Sequence, residues 1–157
     1  MPDCIFCSIL AGEAPASFVY RDEVCSAFMD IQPVNPGHLL VIPNTHAPHL
    51  ADIDGDTAAH LMRVGHRLAA ALRSSGLRCE GVNVFLADGA AAMQEVFHVH
   101  LHVIPRYRGD GFGLKFGPHY FQRPQRSELT AAAERIRAVL DHGADAASSE
   151  GKWSGNG

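Results

Sequence analysis

The stretch His98-Val-His100-Leu-His102-Val-Ile-Pro105 places three imidazoles at alternate positions. Period two is strand spacing: successive members of one face lie about 6.7 Å apart, and the residues between them face the other way. Val99, Leu101 and Val103 therefore point to a core while the three rings share a surface. On a helix, residues two apart diverge by about 200° and form no common site. A neutral imidazole, with an ordinary pKa near 6.5, offers a lone pair at physiological pH. Two chemistries follow. The rings hold a catalytic metal ion with an open water position, or the middle ring attacks an electrophile while its neighbours orient it and handle protons. A second pair, Cys4-x-x-Cys7, can place two thiolates on one metal but supplies only half of a tetrahedral set. A redox pair and two buried thiols are its competing readings.

The elements that must carry these residues are mixed. Cys4 to Leu10 is a short apolar helix. Phe18 to Met29 reads as a hairpin closed by Arg21-Asp22-Glu23. His38 to Ile42 is a buried strand bounded by Pro36-Gly37 and Pro43. Leu61, Val64, Leu68 and Leu72 fall at helical spacing between Thr57 and Arg73, with Asp56 at the N-cap position and Gly76 beyond the end. Val82 to Leu86 and Val96 to Ile104 are strands, the second stopped by Pro105. Ser127 caps a last helix in which Leu129, Ala133, Ile136 and Leu140 share a face. The turns between strands are too short for repeated parallel crossovers, so an α+β fold is expected, an antiparallel sheet with packed helices. Residues 1–141 form one domain. The small, polar run 142–157 reads as a disordered tail whose single large apolar residue is Trp153.

The chain has 157 residues, a net charge of −4 and 19% charged residues. That balance argues against a general nucleic-acid coat or a polybasic membrane binder, and no apolar run approaches the length of a membrane span. Four cysteines are too few for a disulfide scaffold, which with no signal-peptide pattern points to the cytoplasm.

The segment Gln94-Glu-Val-Phe-His98-Val-His100-Leu-His102-Val-Ile-Pro105-Arg106 resembles the signature of the histidine-triad family of nucleotide hydrolases and transferases. Phe28-Met-Asp30-Ile-Gln-Pro33-Val-Asn-Pro-Gly37-His38-Leu-Leu-Val-Ile-Pro43-Asn-Thr-His46 resembles the family's first block, and Cys4-Ile-Phe-Cys7 the opening of its zinc-containing bacterial branch. The resemblance implies a five-stranded antiparallel sheet with helices, assembled as a homodimer. It implies attack by His100 on the α-phosphorus of a purine nucleotide conjugate, either a nucleoside phosphoramidate or a (di)nucleotide polyphosphate, through a nucleotidyl-histidine. The proton on the other ring nitrogen of His100 is then held by a backbone carbonyl. His102 contacts the phosphate, His38 supports the triad and Gln94 touches phosphate or leaving group. Asp30 holds the ribose hydroxyls. Ile5, Phe6, Ile9, Phe28 and Ile31 are candidates for a purine slot, with core packing as the plainer reading of each. One structural zinc per chain is implied on Cys4, Cys7, His46 and His98.

The pattern is broken in places. Ala87 stands where the family has a polar asparagine, Met93 where it has glycine, and Glu95 where it has a serine or threonine near the phosphate. A carboxylate there either points away or signals an altered substrate. After the triad, residues 106–126 carry Arg106, Arg108, Lys115, Arg123 and Arg126 against one acid, Asp110, among several glycines. Such a loop either approaches an anionic group, with Arg106 as the first candidate, or is simply solvated. A zinc-dependent hydrolase using the histidines as ligands and a non-catalytic nucleotide-binding module are the alternative functions.

Overall fold

A computed structural model describes residues 4–148. Five strands form one antiparallel sheet in the order β1-β2-β3-β5-β4: β1 Phe18–Arg21, β2 Cys25–Met29, β3 Leu39–Pro43, β4 Gly81–Leu86 and β5 Leu101–Arg106. Helices α1 (Ile5–Ala11) and α2 (Gly55–Ser74) pack on opposite faces, and α3 (Arg126–Ser148) follows. The chain divides into two compact units at Phe112 and Gly113. The sheet, α1 and α2 belong to the first and α3 to the second.

Alternation along the strands builds two cores. Ala27, Leu39, Val41, Leu101 and Val103 turn to α2, where Leu61, Val64, Leu68 and Leu72 meet them at helical spacing. Phe28, Leu40 and Ile42 turn to the opposite face, against Phe6 and Ile9 of α1. Helix α2 begins two residues earlier than Asp56 suggests. Asp54 is its N-cap, accepting a hydrogen bond from the Thr57 N–H at 2.7 Å. Likewise α3 begins at Arg126, so Ser127 lies inside its first turn, and the Glu128 carboxylate accepts from the Gln125 N–H at 2.7 Å. Helix α3 runs through Ser148, within the segment read as a tail, and the remainder of that segment lies outside the described residues. Ile136 and Leu140 of α3 are 68% exposed.

Strand β5 starts at Leu101, so His98 and His100 precede the ladder rather than lie in it, and it continues through Pro105 to Arg106. Proline is tolerated because the ladder with β3 ends at Val103. The Pro105 carbonyl instead accepts from the buried Asn35 side chain at 2.9 Å.

Gly37 holds the entry to β3 at φ +101, and a Cβ there would stand 2.9 Å from Leu77 and 3.2 Å from Pro105. Gly37→Ala combines a left-handed backbone penalty with overpacking, so we expect it to cost about 2–4 kcal/mol of unfolding free energy by denaturant titration.

The β1–β2 turn rests on Asp22. Although burial alone would raise its pKa, hydrogen bonds from the Tyr20 hydroxyl (2.6 Å), the Cys25 N–H (2.7 Å), His60 (2.7 Å) and the Val24 N–H (2.8 Å) hold the carboxyl well below the usual range. A carboxyl depressed in the folded state contributes stability at pH values above its unfolded pKa of about 4, and that stability is lost as pH falls through the folded value. Stability should therefore fall below about pH 4, and Asp22→Asn should flatten that part of a stability-against-pH curve.

Candidate active site and metal centre

The N-terminal pair and two distant histidines converge. Cys4 is the N-cap of α1 and Cys7 lies in its first turn, so both sulfurs face the loop before β5. The Cys4 Sγ lies 3.5 Å from His98 Nδ1, and the Cys7 Sγ lies 3.4 Å from His46 Nδ1 and 3.7 Å from His98 Nδ1. The two Nδ1 atoms are 3.3 Å apart. An ion bound at about 2.3 Å by sulfur and about 2.05 Å by nitrogen has tetrahedral edges of about 3.6 Å (S–N) and 3.3 Å (N–N). These four edges already stand at those separations, and all four donors lie within 4.8 Å of one another. His98 is buried, and burial shifts its pKa down, towards the neutral form a metal requires. Its Nε2–H donates to the Pro43 carbonyl at 2.9 Å, which turns Nδ1 to the sulfurs. Burial and the neighbouring Cys4 raise the Cys7 thiol, the direction that a cation at the centre reverses. The donors therefore fit a closed tetrahedral ion. Cys25 is not among them: it is fully buried in the α2 core, where burial pushes its thiol up to about 12.

The other two triad histidines take a different orientation. The His100 Nδ1 lies 2.7 Å from the His98 carbonyl oxygen. A carbonyl only accepts, so the proton is on Nδ1 and the lone pair is on Nε2. The same logic fixes a relay. The Val34 N–H donates to His38 Nδ1 at 3.1 Å, so His38 carries its proton on Nε2, which lies 2.9 Å from His102 Nδ1. His102 then keeps its proton on Nε2 as an outward donor. Burial first, and then the proximity of His100 and His38, lower the His102 pKa to about 4, and burial also lowers that of His38. His102 is stacked on Phe85, 4.5 Å away, its partner in the β4–β5 register. Among the described residues no potential metal cluster gathers all three triad histidines, because His98 and His100 are turned to different partners.

His100 is only 5% exposed, yet with His102 it lines a cavity of about 450 Å³, within the range of small-ligand sites. Phe6, Ile9 and Phe28 form its apolar wall and also pack in the α1 core; Ile5 (48% exposed) and Ile31 (93% exposed) reach solvent. The Phe6 ring edge meets both His98 and His100. Asp30 is also in the lining: its Oδ1 accepts the Gln32 N–H at 2.8 Å, and its Oδ2 lies 3.5 Å from His38 Nε2.

Two expected contacts lie elsewhere. Gln94 is buried outside the lining: its Oε1 accepts the Gly89 N–H at 2.7 Å and its Nε2 donates to Pro48 O (2.8 Å) and Val96 O (3.1 Å). Arg106 spends its donors on Asp110, at 2.6 and 2.8 Å, and on Asn83 and the Phe112 carbonyl. That guanidinium holds the Asp110 carboxyl well below the usual range. Ala87 is buried, and Met93 keeps the left-handed backbone (φ 66) that a glycine adopts without strain. Sequence reasoning missed Phe85 and Asn35, and no local spacing points to either. Asn35 joins the Pro105 carbonyl to Asp110.

The profile of the HIT domain, the histidine-triad family, matches residues 11–109. The chain belongs to this family. An uncharacterized HIT-like protein of Borreliella burgdorferi is 45% identical over 118 residues, 74% of this chain and 85% of that protein. Adenylylsulfatase HINT3 of Arabidopsis thaliana is 37% identical over 109 residues, 69% of this chain and 54% of the plant protein. The crystal structure of a Zn-bound histidine triad family protein from Mycobacterium smegmatis has 42% identity and a TM-score of 0.68, covering 87% of this chain and 96% of that one. Among the described residues no helix of this HIT protein is long and apolar enough to cross a membrane.

Proposed function

We propose that this HIT protein is a nucleotide hydrolase or transferase that attacks the α-phosphorus of a nucleoside phosphoramidate or a (di)nucleotide polyphosphate through a nucleotidyl-His100 intermediate. The reading rests on one observation: the His98 carbonyl holds the proton of His100 Nδ1, leaving the Nε2 lone pair on a ring that lines the cavity. In the first displacement that lone pair bonds to phosphorus and the bond to the leaving group breaks with its electron pair; a departing amine nitrogen takes a proton from water, whereas a departing phosphate leaves as the anion. The His98 carbonyl faces the imidazolium so formed. The His102 Nε2–H donates to a phosphate oxygen, and His38 keeps that tautomer in place. In the second displacement water attacks phosphorus, loses its proton and restores the ring; another acceptor in place of water makes the enzyme a transferase. Asp30 binds the ribose hydroxyls, and the apolar wall with Ile5 and Ile31 takes a purine. Gln94 acts at one remove by tying the 89–96 loop together, and Arg106 by ordering the turn after β5.

Cys4, Cys7, His46 and His98 would hold a structural zinc, which supplies cross-linking of α1 to the triad segment and no open position for chemistry. The Zn-bound mycobacterial relative supports that choice of ion. On the family pattern the enzyme works as a homodimer in the cytoplasm. The test is chemical trapping. An AMP conjugate labelled at phosphorus, quenched in base after milliseconds, should leave acid-labile label on the protein, and none on His100→Ala. AMP binding with neither label nor turnover on any conjugate would make the protein a binding module.

A further inference from the structure

We propose that Glu95 selects the charge of the leaving group, favouring a cationic or neutral amine over an anionic phosphate or sulfate; this rests on the reading of the preceding section. Four observations carry it. Glu95, in the loop before β5, lines the same cavity as His100 and His102. It is exposed, and none of the ion pairs among the described residues engages it. Its backbone is not free to swing away, because the Gln94 side chain ties Gly89, Pro48 and Val96 together on either side of it. Finally, the lining holds two acids, Asp30 and Glu95, and no lysine or arginine; Arg106, the one arginine of β5, is paired with Asp110.

The balance of the reaction makes that charge matter. When a phosphoramidate reacts, His100 Nε2 bonds to phosphorus, the P–N bond breaks, and the nitrogen keeps its pair, takes a proton from water and leaves as an amine or ammonium. A positively charged group on that amine meets a carboxylate. When a polyphosphate or an adenylylsulfate-type anhydride reacts, the pair stays on oxygen and a multiply charged anion departs past the same carboxylate. The α-phosphate itself meets only the neutral His102 donor and is discriminated by neither. A unit charge about 5 Å from Glu95 in wet surroundings changes a rate by about fourfold, so reversing the sign changes it by about fifteenfold.

The experiment uses the full chain and three AMP phosphoramidates whose amines differ only in a terminal ammonium, hydroxyl or carboxylate. The ratio of kcat/KM for the ammonium over the carboxylate conjugate should be about fifteen in the wild type and near one in Glu95→Gln. Glu95→Lys should invert it, and added salt should shrink both departures from one. An exposed position makes misfolding of either variant detectable by a changed Tm, and the ratio is internal to each protein preparation. Equal ratios in wild type and Glu95→Gln, or a wild-type preference for the carboxylate conjugate, overturn the role of Glu95 while leaving the proposed hydrolase standing. Failure of the wild type to release AMP from any of the three conjugates overturns the role of Glu95, and it overturns the proposed hydrolase as well if a dinucleotide polyphosphate also leaves no label on His100.

Discussion

His100→Ala should lower kcat/KM for an AMP conjugate by about 10⁴-fold or more, with most of the loss in kcat. Removing a nucleophile abolishes the covalent route, and the residual rate reflects only positioning by the rest of the site. His102→Ala should cost less, about 10²- to 10³-fold, because it deletes one donor and one proton partner while leaving the attacking nitrogen in place. The double variant should be hardly slower than His100→Ala, since residues acting in one step are not additive. Steady-state kinetics with burst-phase measurements separate these outcomes. A His100→Ala protein retaining more than a tenth of wild-type kcat would rule out the middle ring as nucleophile, whatever the other variants do.

Metal removal should act first on stability. Cys4 and His98 are 94 positions apart in sequence, and a cross-link closing a loop of about 100 residues is worth about 4–5 kcal/mol through the unfolded chain. At roughly 2–4 °C per kcal/mol for a chain of this size, a strong chelator or Cys4→Ser with Cys7→Ser should lower Tm by about 10–15 °C. Calorimetry alongside metal analysis reads this directly. Activity should fall in parallel below the new Tm, because the ring that a metal would hold is the one whose carbonyl holds His100. A catalytic metal would give the opposite pattern, with turnover abolished by chelation and Tm nearly unmoved.

Much of the fold could be read from local spacing. The alternation of Val99, Leu101 and Val103 with the histidines announced a sheet face and a core face, and the leucines of α2 announced a helix on that core. Boundaries were less legible. Asp54 and Asp56 are chemically equivalent caps two residues apart, and only the three-dimensional path of the preceding turn selects Asp54. Proline at 105 looked like a stop signal, because whether a missing N–H costs anything depends on which neighbour strand is present there.

The site divides along the same line. The identity of the chemical groups, a histidine stripe and a thiol pair, was written in the chain as short motifs, since neighbours two or three residues apart have their relative directions set by the backbone. Which nitrogen each ring offers was not. His98 turns Nδ1 to the thiols because Pro43 takes its other proton, and His102 offers Nε2–H because His38, 64 positions away, feeds its Nδ1. Gln94 and Arg106 make the same point in reverse. Both have the residue type of a phosphate contact, yet partners brought in by folding consume their hydrogen-bonding capacity. Tautomers, metal edges and spent donors depend on distances in the folded backbone, some within one loop, as from Arg106 to Asp110, and some between remote segments, as from His38 to His102.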